Sequence, residues 1–496
     1  MSSAQRWSAD AAAAQVRDGD LVAISGNGEM LVPDAILEAL ERRFLKTGSP
    51  RDLQLVYTVF PGGKRPGTGI ERLAHVGIVS RVYAGSYYSL RATGLSGLVA
   101  GGTIEAYLLP YGFLHAMLRS GASDEPGALL RIGLDTFLDP AGDDGSRLTT
   151  RTPPLLMRTE VAGEPAIFAP ALRPDVAIVR ASEASVRGDL SLRLEPGSLA
   201  IRPLVMATKA GGGRVFAQVA RVVADGSLHP RDVAVPSPFV SALVEAPDQM
   251  APFPYRPDLT GDVRSGAVPT LDEPPHRAAI VERASRELRP GDLANVGMGL
   301  AASVPATARR LGRDRGVLFT TEHGPIGGLP NDREHFGPAV DPLVLLDSSR
   351  MFELIDQGRL DVSFLGMGEV DEAGNVNVAH LAGRYNMGGF VDIVHATKRI
   401  VFCGTFRAKG LDVERNGQRI RIVRDGAVPK FVRAVTHRTF DAALARRRGQ
   451  DVRYVTERAV FELGPHGPRL IEVADGVDVE RDVLSQMEFT PDVALD

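Results

Sequence analysis

The sequence predicts an α/β protein of two pseudo-repeated open domains, each built on a largely parallel sheet. Three observations carry that expectation. The first is size: 496 residues exceed what one hydrophobic core usually organises, so two large domains or more are expected. The second is alternation. Short apolar runs such as Leu53-Gln54-Leu55-Val56-Tyr57 and Val317-Leu318-Phe319 are separated by amphipathic stretches such as Asp34 to Phe44 and Thr307 to Leu311, the pattern of β and α layers. The third is internal repetition.

The repeat is read from shared spacings. Gly19-Asp20-Leu21 leads through an apolar run to Gly26-Asn27-Gly28 with Pro33 beyond; Gly291-Asp292-Leu293 leads to Gly297-Met298-Gly299 with Pro305 beyond. Asp175-Val176-Ala177-Ile178-Val179 precedes Gly188-Asp189-Leu190, and Asp361-Val362-Ser363-Phe364-Leu365 precedes Gly374-Asn375-Val376. The step from Asp175 to Gly188 equals the step from Asp361 to Gly374. Counting on from those glycines, Phe216 and Phe402 again fall at equal distances. Between the halves, Pro247 to Pro275 holds seven prolines and reads as an extended linker. The expected organisation is therefore a first domain over 1–246, a linker over 247–275 and a second domain over 276–496.

Composition narrows the partners. A hydrophobic content of 44% with 24% charged residues is that of a folded globular chain. A net charge of -4 gives no reason to expect nucleic acid or an anionic membrane surface. Arg446-Arg447-Arg448 reads as a solvated helix end. The single cysteine, Cys403, rules out an internal disulfide and any cysteine-cluster metal site; lying inside Ile400-Val401-Phe402-Cys403, it reads as a small core residue. The sequence has no leader-like start and no uninterrupted apolar run of membrane-spanning length, so a cytoplasmic protein is expected.

Two glycine pairs follow apolar strands and precede helices, which makes them backbone cradles for a ligand. The third glycine of a dinucleotide fingerprint is missing, since Leu31 and Ala302 stand there. The most informative segment is Gly316-Val317-Leu318-Phe319-Thr320-Thr321-Glu322-His323-Gly324-Pro325-Ile326-Gly327-Gly328. An apolar strand ends on a carboxylate and the chain then turns through a side-chain-poor loop. Ligands in open α/β sheets bind beyond the carboxyl ends of strands, which is where Glu322 falls. Position alone leaves a solvated turn residue and a catalytic group both open.

This segment resembles the strand-end Glu motif of the family I coenzyme A transferases, in which that Glu is the nucleophile. The resemblance extends through Phe364-Leu365-Gly366, Gly374-Asn375-Val376-Asn377-Val378, Gly388-Gly389-Phe390-Val391-Asp392-Ile393, Phe402-Cys403-Gly404-Thr405-Phe406 and Thr456-Glu457-Arg458-Ala459-Val460-Phe461. In the first half it includes Ser227-Leu228-His229-Pro230-Arg231-Asp232. It is closest to the fused single-chain type acting on short-chain acyl-CoA and 3-oxoacyl-CoA, which would place the chain in short-chain fatty acid and ketone-body metabolism. The resemblance implies CoA transfer between an acyl-CoA and a small carboxylic acid through a glutamyl-CoA thioester on Glu322. It implies no cofactor beyond CoA as substrate, and a homo-oligomer.

By the same resemblance Gly297 and Gly299 line the CoA groove, Gly388 and Gly389 pass the pantetheine, and Lys398 meets a phosphate. His323, where the family usually has Ser or Asn, serves either as a turn residue or as a hydrogen-bonding partner. Departures gather on the acid side. Leu109-Pro110 is followed by Tyr111 where the family offers Gln, and Gly85-Ser86 with Tyr87-Tyr88 replaces a Gly-His pair. Tyr111, Tyr87 and Tyr88 are therefore expected to shape the acid pocket. Glu29, beside the first cradle, reads as a surface acid. Two other readings stay open: acyl-CoA hydrolysis on the same scaffold, and a non-catalytic ligand-sensing module.

Overall fold

A computed structural model describes residues 4–63, 65–89, 91–142, 145–270, 272–331 and 335–495. The chain forms two compact units. The first comprises residues 1–262, 346–350 and 382–389; the second comprises 263–345, 351–381 and 390–496. The division at 262/263 falls inside the proline-rich segment, whose residues Phe253 and Leu259 are buried. The two later returns to the first unit carry no apolar pattern that marks them in the sequence.

The first unit is organised by eight strands: β1 (Gln5–Trp7), β2 (Leu21–Ile24), β3 (Leu53–Tyr57), β4 (Val79–Ala84), β5 (Glu105–Leu108), β6 (Val176–Ser185), β7 (Arg214–Val223) and β8 (Ala242–Glu245). They lie in the order β1-β8-β7-β6-β2-β3-β4-β5, and every neighbouring pair is parallel. The central β6 is buried at all ten positions, as expected for a parallel strand covered on both faces. Helix α1 (Asp34–Thr47) buries Ile36, Leu37, Ala39 and Leu40, one face of a 3.6-residue period, and stops at Gly48 in the left-handed conformation. Helix α2 (Tyr111–Ala122) follows β5 after the two residues Leu109-Pro110.

The second unit repeats the plan with β9 (Leu293–Val296), β10 (Leu318–Thr320), β11 (Val362–Gly366), β12 (Arg399–Cys403) and β13 (Asp451–Val455). Their order is β10-β9-β11-β12-β13, all parallel, with antiparallel strands added beyond both edges. Helix α3 (Pro275–Ala284) contributes Ile280, Val281 and Ala284 to a core shared with Val296, Phe319, Phe364 and Val401.

The repeat has a bonded signature. Asp175 Oδ2 accepts the Leu21 N–H at 2.9 Å, and Asp361 Oδ2 accepts the Leu293 N–H at 3.0 Å. The same aspartates donate their own N–H to Leu21 O at 2.9 Å and Leu293 O at 3.0 Å. One anchor is corrected. Phe216 pairs with Ile178, whereas the equivalent partner Phe364 faces Val401; Phe402 is therefore one residue out of step with Phe216. A one-residue shift sends a side chain to the other face of the sheet. Accordingly Phe216 packs on Trp7, while Phe402 stacks with Phe390 and Tyr454.

Cys403 is buried, and burial pushes its thiol up to about 12. Arg447 and Arg448 are exposed at the end of the helix Ala442–Arg447. Among the described residues no helix is long and apolar enough to cross a membrane.

Candidate active site

Each parallel sheet reverses its strand order once, between β2 and β6 in the first unit and between β9 and β11 in the second. Crevices beyond the carboxyl ends of strands at such switch points are where open α/β sheets bind ligands. In the second unit β9 leads out to Gly297-Met298-Gly299 and the adjacent β10 to Thr321-Glu322. Thr320 lies opposite Asn295, so Glu322 and Gly297 each follow these paired positions by two residues. The Gly297 N–H donates to Phe364 O at 2.8 Å, tying this cradle to β11. Gly299 has φ +90°, and a Cβ there would meet nothing within 4 Å; the backbone is left open to a ligand.

Glu322 sits on a clamped turn. Thr320 Oγ1 donates to Pro325 O at 2.6 Å and Thr321 Oγ1 donates to Gly337 O at 2.6 Å. The Gly327 N–H closes back onto Phe319 O at 2.8 Å. Thr321 and His323 are buried, while Glu322 between them keeps part of its surface. The His323 ring meets Phe336 edge-on at 5.7 Å, and a Cβ at Gly337 would fall 3.1 Å from that ring. Burial pushes its imidazole down to about 4, so it is neutral at physiological pH. The His323 ring is thus packed within the turn.

In the first unit the carboxyl ends of β4 and β5 gather Gly85, Tyr111 and Gly388. The Tyr111 N–H donates to Gly388 O at 3.2 Å and the Gly388 N–H to Gly85 O at 3.2 Å. Tyr111 is only 5% exposed, and its ring lies so close to Gly85 that a methyl group there would overlap it. Gly389 is buried beside Gly388. Tyr88 is half-buried with the Arg384 guanidinium 4.7 Å above its ring.

Tyr87 is different. It is fully buried, its hydroxyl lies 2.9 Å from Val82 O and 2.8 Å from Tyr107 O, and burial holds its phenol well above the usual range. It braces β4 against β5 and is not a pocket wall. Glu29 is likewise corrected: it is 6% exposed, not a surface acid, and accepts from the Arg65 N–H at 3.3 Å. Near it lies an ion pair that the sequence reading missed, Arg180 Nη2 to Glu195 Oε1 at 3.0 Å, with both side chains almost wholly buried. An arginine interrupting the apolar run of β6 was its signal.

A family signature described as coenzyme A transferase covers residues 7–246. Over 479 residues the chain is 34% identical to acetate CoA-transferase YdiF of Escherichia coli K12, spanning 96% of this chain and 90% of that one. The chain belongs to the coenzyme A transferase family. It is also 32% identical to caffeate CoA-transferase of Acetobacterium woodii, over 99% of this chain and 95% of that one. The crystal structure of the YdiF acyl-CoA transferase apoenzyme from Escherichia coli O157:H7 matches it with a TM-score of 0.92, at 33% identity, over 100% of this chain and 95% of that one. A thioester complex of the same acyl-CoA transferase with CoA matches equally well.

In this CoA-transferase the likeness to whole relatives extends past the signature and includes the unit that carries Glu322. Lys398 stands apart from the expected CoA contacts. Its Nζ is 2.8 Å from Asp361 Oδ1, and its side chain is 65% exposed. It immediately precedes β12, so it lies at the amino end of the parallel strands, opposite to Glu322. An ion pair that ties the starts of β11 and β12 accounts for it. Among the described residues no cluster of three His, Cys, Asp or Glu side chains could hold a metal ion.

Proposed function

We propose that this CoA-transferase moves CoA from an acyl-CoA to a free carboxylic acid in two half-reactions, with Glu322 as the covalent carrier. The single observation that carries the reading is the clamped turn at the carboxyl end of β10, which presents Glu322 beside the switch-point cradle of Gly297 and Gly299. The Glu322 carboxylate attacks the thioester carbonyl, the C–S bond breaks, and a mixed anhydride and CoA thiolate result. The thiolate then attacks the glutamyl carbonyl; the first acid leaves as its carboxylate and a glutamyl-CoA thioester remains. A second carboxylate runs these steps in reverse. Charge balances throughout without a metal or redox partner. The thioester complex described for the Escherichia coli relative supports the reading.

Gly297 and Gly299 are proposed to line the CoA groove, and Gly388 and Gly389 are proposed to pass close to the pantetheine. Tyr111 and Tyr88 are proposed for the acid side, where an aromatic edge replaces an amide. The named relatives act on acetate and on caffeate, acids of very different size, so acceptor choice is assigned to this side.

Incubation with acetyl-CoA and no acceptor should leave CoA on the peptide containing Glu322, cleavable by hydroxylamine, while steady-state hydrolysis stays negligible. Glu322→Ala should lose both adduct and turnover. Glu322→Asp, which withdraws the attacking oxygen by about 1 Å, should lose on the order of 100-fold in rate. Normal turnover by the Ala protein would remove Glu322 from the mechanism.

A further inference from the structure

The chain uses arginine almost to the exclusion of lysine: only six of its 57 basic residues are lysines. Among the described lysines one is buried, Lys430, at 8% exposure. It lies between two short strands, Val428–Pro429 and Phe431–Val432. Among the described residues its ammonium makes no hydrogen bond or ion pair, and it is not one of the fully enclosed polar atoms, so its tip stays accessible at this edge. A cation with a mostly buried stem and an accessible tip is placed to receive an anion by a charge-assisted hydrogen bond.

Its surroundings place it at a ligand-binding edge. Nζ lies 2.7 Å from where a Cβ on Gly404 would stand, and Met367 Cγ lies 2.9 Å from the same point. Any side chain at 404 would displace the ammonium. Gly404 is the first residue beyond β12, and Gly366 ends the adjacent β11 with open space where its Cβ would be. Together with Gly297 beyond β9, the carboxyl ends of three neighbouring strands are paved with glycine from the strand of Glu322 to the lysine. The carboxylate that acts on Lys430 is Glu457, which supports its charged form. Both Glu457 oxygens are already engaged, Oε2 by the Phe406 N–H at 2.9 Å and Oε1 by Arg458 Nε at 2.7 Å. Burial brings the ammonium down to about 8, which still leaves it charged at neutral pH.

We propose that Lys430 is the cationic half of an anion subsite at the carboxyl edge of the second sheet, filled by a phosphate or carboxylate oxygen of a bound substrate. The inference rests on the reading of this enzyme as one that binds CoA beside Glu322. Strand spacing favours the phosphate source. Gly404 is three strands from β10, about 14 Å across the sheet, too far for a small acid reacting at Glu322 but within reach of the pantetheine arm.

Calorimetric titration with CoA, which has no acyl group and so needs no chemistry at Glu322, tests this directly. Lys430→Met should weaken CoA binding by about ten- to a hundredfold, the range of one charge-assisted hydrogen bond. Binding of pantetheine, which lacks phosphates, should not change. Gly404→Ala keeps the charge but displaces it and should weaken CoA in the same direction, which covers the case of a poorly folded Met variant. A raised KM for the acceptor acid with unchanged CoA affinity would assign the subsite to the carboxylate source. Unchanged CoA affinity and unchanged acceptor KM in both variants would overturn the proposal. Glu322→Ala should bind CoA as the parent does, so a failure of the covalent mechanism and a failure of this subsite give different results.

Discussion

Acid should loosen the turn that presents Glu322, through the histidine next to it. Burial holds the His323 imidazole at about 4, against an ordinary value near 6.5. Between those values the unfolded chain binds a proton that the folded chain does not, so stability falls as the pH drops from 6.5 towards 4. At about 1.4 kcal/mol per pH unit the full effect is roughly 3 kcal/mol, and most of it is already lost at pH 4.5. His115, also pushed down to about 4 by burial despite the opposing charge of Asp347, adds a similar loss elsewhere. The informative quantity is therefore a difference between proteins. His323→Gln removes the titrating group and should cost stability at pH 7, where contact with Phe336 is lost. Between pH 7 and pH 4.5, however, its stability should fall by about 2 kcal/mol less than the parent's. Denaturant unfolding at the two pH values measures this, and hydrogen exchange should show the amides of residues 318–328 opening first in the parent. Parallel pH dependence in the two proteins would refute the argument.

Two further substitutions test the corrected assignments. Tyr87→Phe should cost about 1–3 kcal/mol in denaturant unfolding, because it removes the hydroxyl shared by Val82 O and Tyr107 O; unchanged stability with an altered acceptor ranking would return Tyr87 to the pocket wall. Lys398→Ala should change stability by less than about 1 kcal/mol, as for other exposed ion pairs, and leave CoA affinity unchanged in calorimetry; a tenfold loss of affinity would restore its expected role.

The sequence made the layered fold and the repeat legible because both are written in local patterns. Aspartates that open β6 and β11 accept the N–H that begins β2 and β9, so their spacing survives in both halves. The phenylalanine anchor misled because apolar residues on both faces of a doubly covered strand look alike, and spacing alone does not give the register. Glu322 stood out as a carboxylate closing an apolar strand before a glycine turn. Tyr87 did not declare itself, since its role depends on a loop folding the ring back beneath β4 and β5. Lys430 was invisible for a similar reason: Gly404 and Met367, which define its environment, lie just past the ends of β12 and β11, and Pro429-Lys430-Phe431 has no periodicity.

The return of residues 382–389 to the first unit has a consequence for how the protein is made. The loop after β4 bonds this segment, through Tyr87 N–H to Tyr385 O at 2.8 Å and Met387 N–H to Gly85 O at 3.0 Å. A nascent chain at ordinary translation rates reaches residue 389 on the order of tens of seconds after β4 has emerged. Throughout that interval the carboxyl edge of the first sheet is unfinished, although every strand from β1 to β8 leaves the ribosome well before it closes. Expression of residues 1–262 alone would freeze that state, leaving the backbone groups of Gly85, Tyr87 and Tyr111 without the partners that residues 382–389 supply.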